Sequence, residues 1–174
     1  MTPRSVRRNI EFKARDPHPA QTLKRCQEIG AVEVGILPQR DTYFTVPHGR
    51  LKLREQEPGP AMLVQYLRAD EAGARTSTYV LVEISDPPAV KRALASSLGI
   101  ACVVEKERRL FLWEETVRIH LDRVEGVGEF VEIEAVAPAE SSLEREREQA
   151  ERLRLLLEID PSELVASSYA DLFQ

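Results

Sequence analysis

The sequence predicts an α+β fold in which eight β-strands close into a barrel with helices flanking it. Three observations carry that prediction. Charged and apolar residues alternate in segment after segment, as in Leu51-Lys52-Leu53-Arg54 and Val131-Glu132-Ile133-Glu134, the period-two signature of a strand with one polar and one apolar face. Eight such segments can be counted between turn signals, and eight strands suffice to close a barrel. Three stretches carry helical patterning, two set between strands and one after the last.

Taken in order, the first strand covers about residues 5–15, with Met1-Thr2-Pro3-Arg4 leading straight into it. Asp16-Pro17-His18-Pro19 ends it and starts a helix over 20–29. Leu23, Cys26 and Ile29 or Gln27 form that helix's inner stripe, and Gly30 terminates it. Residues 32–46 are extended, with strand formers concentrated in Asp41-Thr42-Tyr43-Phe44-Thr45. Pro47-His48-Gly49 turns the chain into a strand over 50–56, and Pro58-Gly59-Pro60 turns it into another over 61–69. After a polar loop at 70–74 comes a strand over 76–85, in which Tyr79, Leu81 and Glu83 share a face. Asp86-Pro87-Pro88 begins a second helix over 89–98 that Gly99 stops. Strands over 101–113, 116–124 and 128–136 complete the eight. A long helix, capped by Ser141 or Ser142, runs to about Ile159 with Leu143, Leu153, Leu156 and Leu157 on its apolar side.

The 174 residues match one domain, residues 1–174, with C-terminal helices from about residue 141. The net charge of -5, with cations gathered mainly in strands, argues against a nucleic-acid coat. Cys26 and Cys102 lack CxxC spacing and read as reduced packing residues. No apolar run reaches the ~18 residues of a membrane span, and no secretory h-region opens the chain. A cytoplasmic protein without a membrane partner is expected.

Two sets of strand positions carry the chemistry. Glu11, Asp122, Glu132 and Glu134 form an anionic set on the first, seventh and eighth strands. Hard divalent cations such as Mg²⁺ or Mn²⁺ are held by a few carboxylates together with substrate phosphates. Lys13, Lys52, Arg54, Arg68, Lys106, Arg108 and Arg118 form a cationic set, whose mixture of forked guanidinium and point-like ammonium groups suits a chain of phosphates. Of only five lysines against nineteen arginines, three fall in this set, which favours selected roles. Alternation alone fits equally well an antiparallel sheet with an ordinary charged outer face. If the charged face points into a barrel, its groups share a partly desolvated tunnel in which Coulomb interactions grow.

His120 lies between Arg118 and Asp122 on one face and reads first as a hydrogen-bonded wall residue, second as a metal ligand or proton carrier. Tyr43, Phe44, Tyr66, Tyr79, Phe111 and Trp113 read as packing residues before base-stacking ones. Gly126-Val127-Gly128 is a hairpin turn, with no following lysine to make a phosphate loop. No Ser/His/Asp or Cys/His arrangement assembles, so covalent catalysis is disfavoured.

Asn9-Ile10-Glu11-Phe12-Lys13, Arg40-Asp41-Thr42-Tyr43-Phe44, Arg50-Leu51-Lys52-Leu53-Arg54 and Lys106-Glu107-Arg108 stand in a distinctive order. His120-Leu121-Asp122-Arg123-Val124, the run from Gly126 to Glu134, and Ser168-Tyr169 continue it. Over nearly the whole chain this pattern resembles the CYTH family, the triphosphate tunnel metalloenzymes that include class IV adenylyl cyclases, thiamine triphosphatases and inorganic triphosphatases. The resemblance implies an eight-stranded antiparallel tunnel, basic groups gripping a triphosphate and acidic groups holding one or two divalent ions. It places Glu11, Glu132 and Glu134, with Asp122 and Asn9 as further candidates, on the metal side. It places Lys13, Lys52, Arg54, Arg68, Lys106, Arg108 and Arg118 on the phosphate side. One departure stands out: the first Glu of the family's ExExK signature is Asn9 here. An amide oxygen can ligate a hard cation but brings no charge, which would weaken a second metal site.

The start, the Asp-Thr-Tyr-Phe strand and the Ser-Tyr ending look most like the class IV adenylyl cyclases. That reading has the ribose 3′-oxygen of ATP attack the α-phosphorus while pyrophosphate leaves, with Asp122 one candidate proton acceptor. Two alternatives remain open: hydrolysis of inorganic, nucleoside or thiamine triphosphate, and a non-catalytic polyanion-binding protein. The same relatives leave a homodimer open.

Overall fold

Each alternating segment becomes a strand: β1 (Val6–Arg15), β2 (Val32–Phe44), β3 (Arg50–Gln56), β4 (Ala61–Arg68), β5 (Arg75–Ile84), β6 (Ile100–Trp113), β7 (Val117–Val124) and β8 (Gly128–Ala137). In the computed structural model, which describes residues 6–173, they form one closed antiparallel barrel in the order β1-β5-β4-β3-β2-β6-β7-β8. Met1 to Ser5, expected to lead into the first strand, lie outside the described residues. Short turns make neighbours of β2 through β5 and of β6 through β8. The helices α1 (Pro19–Glu28) and α2 (Pro87–Leu98) carry the chain between strands that are not neighbours. Closure comes from β1, which pairs with β5 on one side and β8 on the other.

Register fixes which side chains meet. Glu11 stands opposite Glu134 and Lys13 opposite Glu132 across β1 and β8. Arg118 and His120 face Glu134 and Glu132 across β7 and β8. Asp41 faces Arg54 and Tyr43 faces Lys52 across β2 and β3. These residues share one parity, and that parity points into the barrel.

The other parity is apolar, so the main hydrophobic core lies outside the barrel wall. Ile10, Phe12 and Ala14 of β1, Phe111 and Trp113 of β6, Val117 and Ile119 of β7, and Val131, Ile133 and Ala135 of β8 are buried there. They meet Cys26 of α1 and Ala150, Leu153 and Leu157 of the C-terminal helix α3 (Glu144–Leu156) and its end. Each large side chain buried in this way contributes about 1.5–3 kcal/mol. A smaller cluster of Tyr43, Val104, Val124, Phe130 and Tyr169 is buried among the side chains of the inward parity. Phe130 and Tyr169 meet edge to face there, ring centroids 5.1 Å apart.

Local signals account for most boundaries. Gly30, at φ +76°, ends α1 as expected, with its N–H bonding to Gln27 and that of Ala31 to Cys26. Gly49 is required at its turn, since a Cβ there would come within 2.5 Å of Leu67 and 2.7 Å of the Tyr66 carbonyl.

Two expectations about the last helix need correction. It begins at Glu144, and its cap position is Leu143, held at φ 72°, where no side chain caps it. Ser141 acts from two residues earlier: its Oγ accepts the Leu143 N–H at 3.0 Å and donates to Glu146 at 2.6 Å. Leu156, expected on the apolar side, is 40% exposed, and Ala150 takes the buried place. The buried stripe runs through Glu146, Ala150, Leu153 and Leu157 at steps of three and four residues, which leaves Leu156 to one side.

Because Leu153 packs outside the wall, its role separates cleanly from that of the interior. Leu153→Ala should lower stability by about 3 kcal/mol in denaturant titrations, while calorimetry shows ATP affinity unchanged.

Candidate functional site

The inward face encloses a cavity of about 440 Å³. All the expected site residues except Asp122 line it, as does Asn9. Its wall falls into three parts.

Carboxylates gather on β1 and β8. Arg68 donates to Glu11 Oε1 at 2.7 Å, and Arg75 lies 3.8 Å from the same oxygen. Glu132 receives Lys13 at 3.4 Å, Arg108 at 3.0 Å and His120 Nδ1 at 3.4 Å. Glu134 lies 3.9 Å from both Arg118 and His120 Nε2. Burial pushes the Glu11 carboxyl up, and the charges of Glu132 and Glu134 push it further. Burial also pushes the His120 imidazole down, with Arg108 adding to the effect, which keeps a nitrogen lone pair free.

His120, Glu132 and Glu134 present ligand atoms within 4.8 Å of one another, a spread that small side-chain adjustments can close around one divalent ion. Asn9 adds a buried Oδ1 without a hydrogen-bond partner among the described residues, on the same inward face of β1 as Glu11. An unpartnered buried oxygen beside mutually repelling carboxylates is what a hard cation would satisfy. The donor set therefore fits the divalent ion the sequence implied, with His120 joining it.

Cations on β3 and β6 gather round Asp41, which has no exposed surface. Arg54 grips it with two bonds, Nε to Oδ1 at 2.8 Å and Nη2 to Oδ2 at 2.7 Å. Lys52 and Lys106 reach Oδ2 at 2.8 and 3.1 Å. Burial alone would raise the Asp41 carboxyl, but Arg54, Lys106 and Lys52 outweigh it and hold it well below the usual range. Burial lowers the Lys52 ammonium to about 8, with the Arg54 charge adding to the effect.

Asp122 is likewise fully buried and does not line the cavity. Arg108 takes both its oxygens at 2.7 and 2.6 Å, and the Tyr169 hydroxyl donates to Oδ2 at 2.7 Å. Burial would raise this carboxyl, yet Arg108 overrides it and holds it far down. It points inward but is covered by Arg108 and Tyr169, so its place is that of a support for Arg108.

Apolar side chains make up the third part. Val34, Leu37, Met62, Leu81, Leu110 and Leu112 line the cavity beside the charged groups. Of the six aromatics, Tyr43, Tyr66 and Tyr79 line it too, whereas Phe111 and Trp113 belong to the outer core.

Several contributors escaped the sequence reading. Asp41 was taken as one strand former among others, although its parity matches Gln39 and Tyr43. Arg75 fell between the loop expected at 70–74 and the strand expected from 76, yet it opens β5 opposite Glu11. Its guanidinium donates to the carbonyls of Val165 and Ala166 at 3.2 and 2.9 Å, tying the C-terminal segment to the barrel. That segment brings Ser168 and Tyr169 into the cavity wall, with Lys13 Nζ 3.7 Å from the Tyr169 ring centroid.

Comparison with known proteins follows this geometry. The family model described as the CYTH domain matches residues 7–169. No curated protein matches the chain. Among solved structures, the PH1012 protein of Pyrococcus horikoshii OT3 is 23% identical, with TM-score 0.81 over 94% of this chain and 98% of its own. A candidate adenylate cyclase from Vibrio parahaemolyticus is 20% identical, with TM-score 0.76 over 95% and 97%. A candidate adenylyl cyclase from Hippeastrum, described as having a dominant triphosphatase activity, is 16% identical, with TM-score 0.66 over 96% and 94%. At these identities the likeness is one of fold.

The lowered Lys52 gives the cavity a pH signature. Below pH 8 Lys52 carries its proton in the free protein, and above it binding an anion must first recover one. ATP affinity measured by calorimetry with metal chelated should fall about tenfold from pH 7 to pH 9. Lys52→Arg, which stays charged, should flatten that fall.

Proposed function

This chain belongs to the CYTH family, and on that footing we propose that it is a divalent-metal-dependent enzyme acting on an organic triphosphate held inside the barrel. One observation carries the reading: a single cavity joins a cation cluster, a carboxylate and imidazole cluster, and a set of apolar walls. The cations suit a phosphate chain, the carboxylates suit its counter-ion, and the apolar side chains suit an organic group that inorganic tripolyphosphate lacks. Conversion of ATP to cyclic AMP and pyrophosphate is the favoured reaction, on the class IV resemblance of the Asn9–Lys13, Asp41–Phe44 and Ser168-Tyr169 segments. Hydrolysis of the same kind of substrate is the second reading, favoured by the activity ascribed to the Hippeastrum protein.

In the proposed arrangement Lys52, Arg54 and Lys106 hold one part of the phosphate chain, while Lys13, Arg68, Arg108 and Arg118 hold the rest. Glu132, Glu134 and His120, with Glu11 and Asn9 beside them, would hold Mg²⁺ or Mn²⁺. The ion, when bound, would offset phosphate charge and polarise the bonds to phosphorus. Val34, Leu37, Met62, Leu81, Leu110 and Leu112 pack the organic group. They exclude water from it, so that a ribose 3′-oxygen can lie in line with the α-phosphorus. Asp122, with both oxygens engaged by Arg108, positions that arginine and takes no proton. Glu11 Oε2 carries no bond from the described residues, and its raised carboxyl makes it the better acceptor for the 3′ proton.

Incubation with ATP, thiamine triphosphate and tripolyphosphate under Mg²⁺ or Mn²⁺ tests the proposal. Cyclic AMP with pyrophosphate is expected, orthophosphate release would establish the second reading, and no turnover of any of the three would remove both. Glu132→Gln should lower metal-dependent turnover by about a hundredfold or more, with the circular dichroism spectrum preserved.

A further inference from the structure

Three of the cations that line the cavity are not idle in the free protein. Lys52, Arg54 and Lys106 line the cavity, and all three bond to the one carboxylate of Asp41, at 2.7 to 3.1 Å. Asp41 comes from near the end of β2, the strand lying between β3, which supplies Lys52 and Arg54, and β6, which supplies Lys106. Its two oxygens sit where Lys52 and Arg54 of one neighbouring strand and Lys106 of the other converge. A carboxylate gripped by an arginine fork and two ammonium groups reproduces the donor pattern that a phosphate oxygen pair would receive.

We infer that Asp41 is a resident counter-ion of the phosphate site, which occupies the Lys52, Arg54 and Lys106 cluster when the cavity is empty and limits how tightly phosphate chains bind. The inference rests on the phosphate-binding reading of the cavity. An arriving phosphate shares these three cations with Asp41 instead of meeting them unpaired. The carboxylate subtracts one charge from the potential the anion experiences, and it engages N–H groups the anion would otherwise take. A site that attracts a highly charged chain through many cations risks holding its phosphate product, and a fixed negative group behind the cations opposes that. Asp122 does the same for a single guanidinium. Asp41 does it for three groups at once, so its effect on affinity is the larger.

Sign distinguishes this role from mere support. A residue that only holds cations in place loses ligand affinity on removal, whereas a counter-ion gains it. In isothermal calorimetry without metal, Asp41→Asn should bind pyrophosphate at least about tenfold more tightly than the unaltered protein, since one charge a few ångströms away in a partly desolvated site outweighs that factor. The dependence of affinity on salt should steepen in parallel. Equal or weaker binding by a folded Asp41→Asn protein overturns the inference.

Removal of the carboxylate leaves three crowded cations, and the variant can fail to fold in plain buffer. Thermal melts in increasing pyrophosphate then decide: the anion should restore the variant and raise its melting temperature more than that of the unaltered protein. A variant that stays unfolded at saturating pyrophosphate overturns the inference as well. If the unaltered protein binds neither pyrophosphate nor ATP, the phosphate-site reading itself fails, an outcome distinct from binding that Asp41→Asn does not strengthen.

Discussion

A barrel that turns its charged face inward has to balance like charges at close quarters, and the rest of this structure follows from that constraint. Cations and carboxylates packed into a 440 Å³ cavity interact through a medium that screens far less than water. Pairing is therefore systematic. Every lysine and arginine of the phosphate-side set has a carboxylate partner within 4.0 Å: Asp41 for Lys52, Arg54 and Lys106, Asp122 and Glu132 for Arg108, Glu132 for Lys13, Glu11 for Arg68 and Glu134 for Arg118. The two aspartates carry no exposed surface and do not line the cavity, so they act from beneath the cations they hold, while the glutamates face the cavity.

An interior given over to charge supplies little hydrophobic stabilisation, and the fold compensates on the outside. The apolar parity of β1, β6, β7 and β8 would face water in a bare barrel. The helices α1 and α3 cover it and create the core there. This explains why the longest apolar cluster includes both strand and helix residues, and why the chain spends residues on a C-terminal helix after the barrel is complete. The cluster around Phe130 and Tyr169 is the exception. Apolar groups of the inward parity pack there against the segment that delivers Ser168 and Tyr169 to the cavity wall.

Period-two alternation made all eight strands legible, because burial on one face and polarity on the other leaves a direct trace in the sequence. It could not say which face points inward. Charged outer surfaces and charged tunnels write the same pattern, and only ring closure, a sum of long-range pairings, separates them. Glu11, Glu132 and Glu134 were legible as a set since each repeats the alternation beside a cation or another acid. Asp41 was less so, lying among Thr42, Tyr43 and Phe44, where strand propensity masks charge. The place of Asp122 could not be read either: its parity is correct, but the depth that commits it to Arg108 and Tyr169 depends on how β7 meets the C-terminal segment. Arg75 was lost to a boundary, one residue outside the strand it opens. The start of α3 was misplaced because Ser141 serves it from two residues away, through the Leu143 N–H and Glu146.

Energetics give the charged interior its meaning. Buried ion pairs repay their desolvation only partly, and apolar residues of similar size often support a fold as well or better. Three cations on one carboxylate are less favourable still, since the second and third cation gain attraction to Asp41 but also repel one another. Burial first, and the charge of Arg54 after it, lower the Lys52 ammonium against the pull of Asp41. Such an arrangement does not exist to hold β2, β3 and β6 together, which their backbone ladder already does. It leaves an excess of positive charge directed into a space also bounded by carboxylates, an unpartnered amide oxygen and apolar side chains. On the proposed reading, an anion of several charges that carries a divalent cation and an organic group would complete all of these at once.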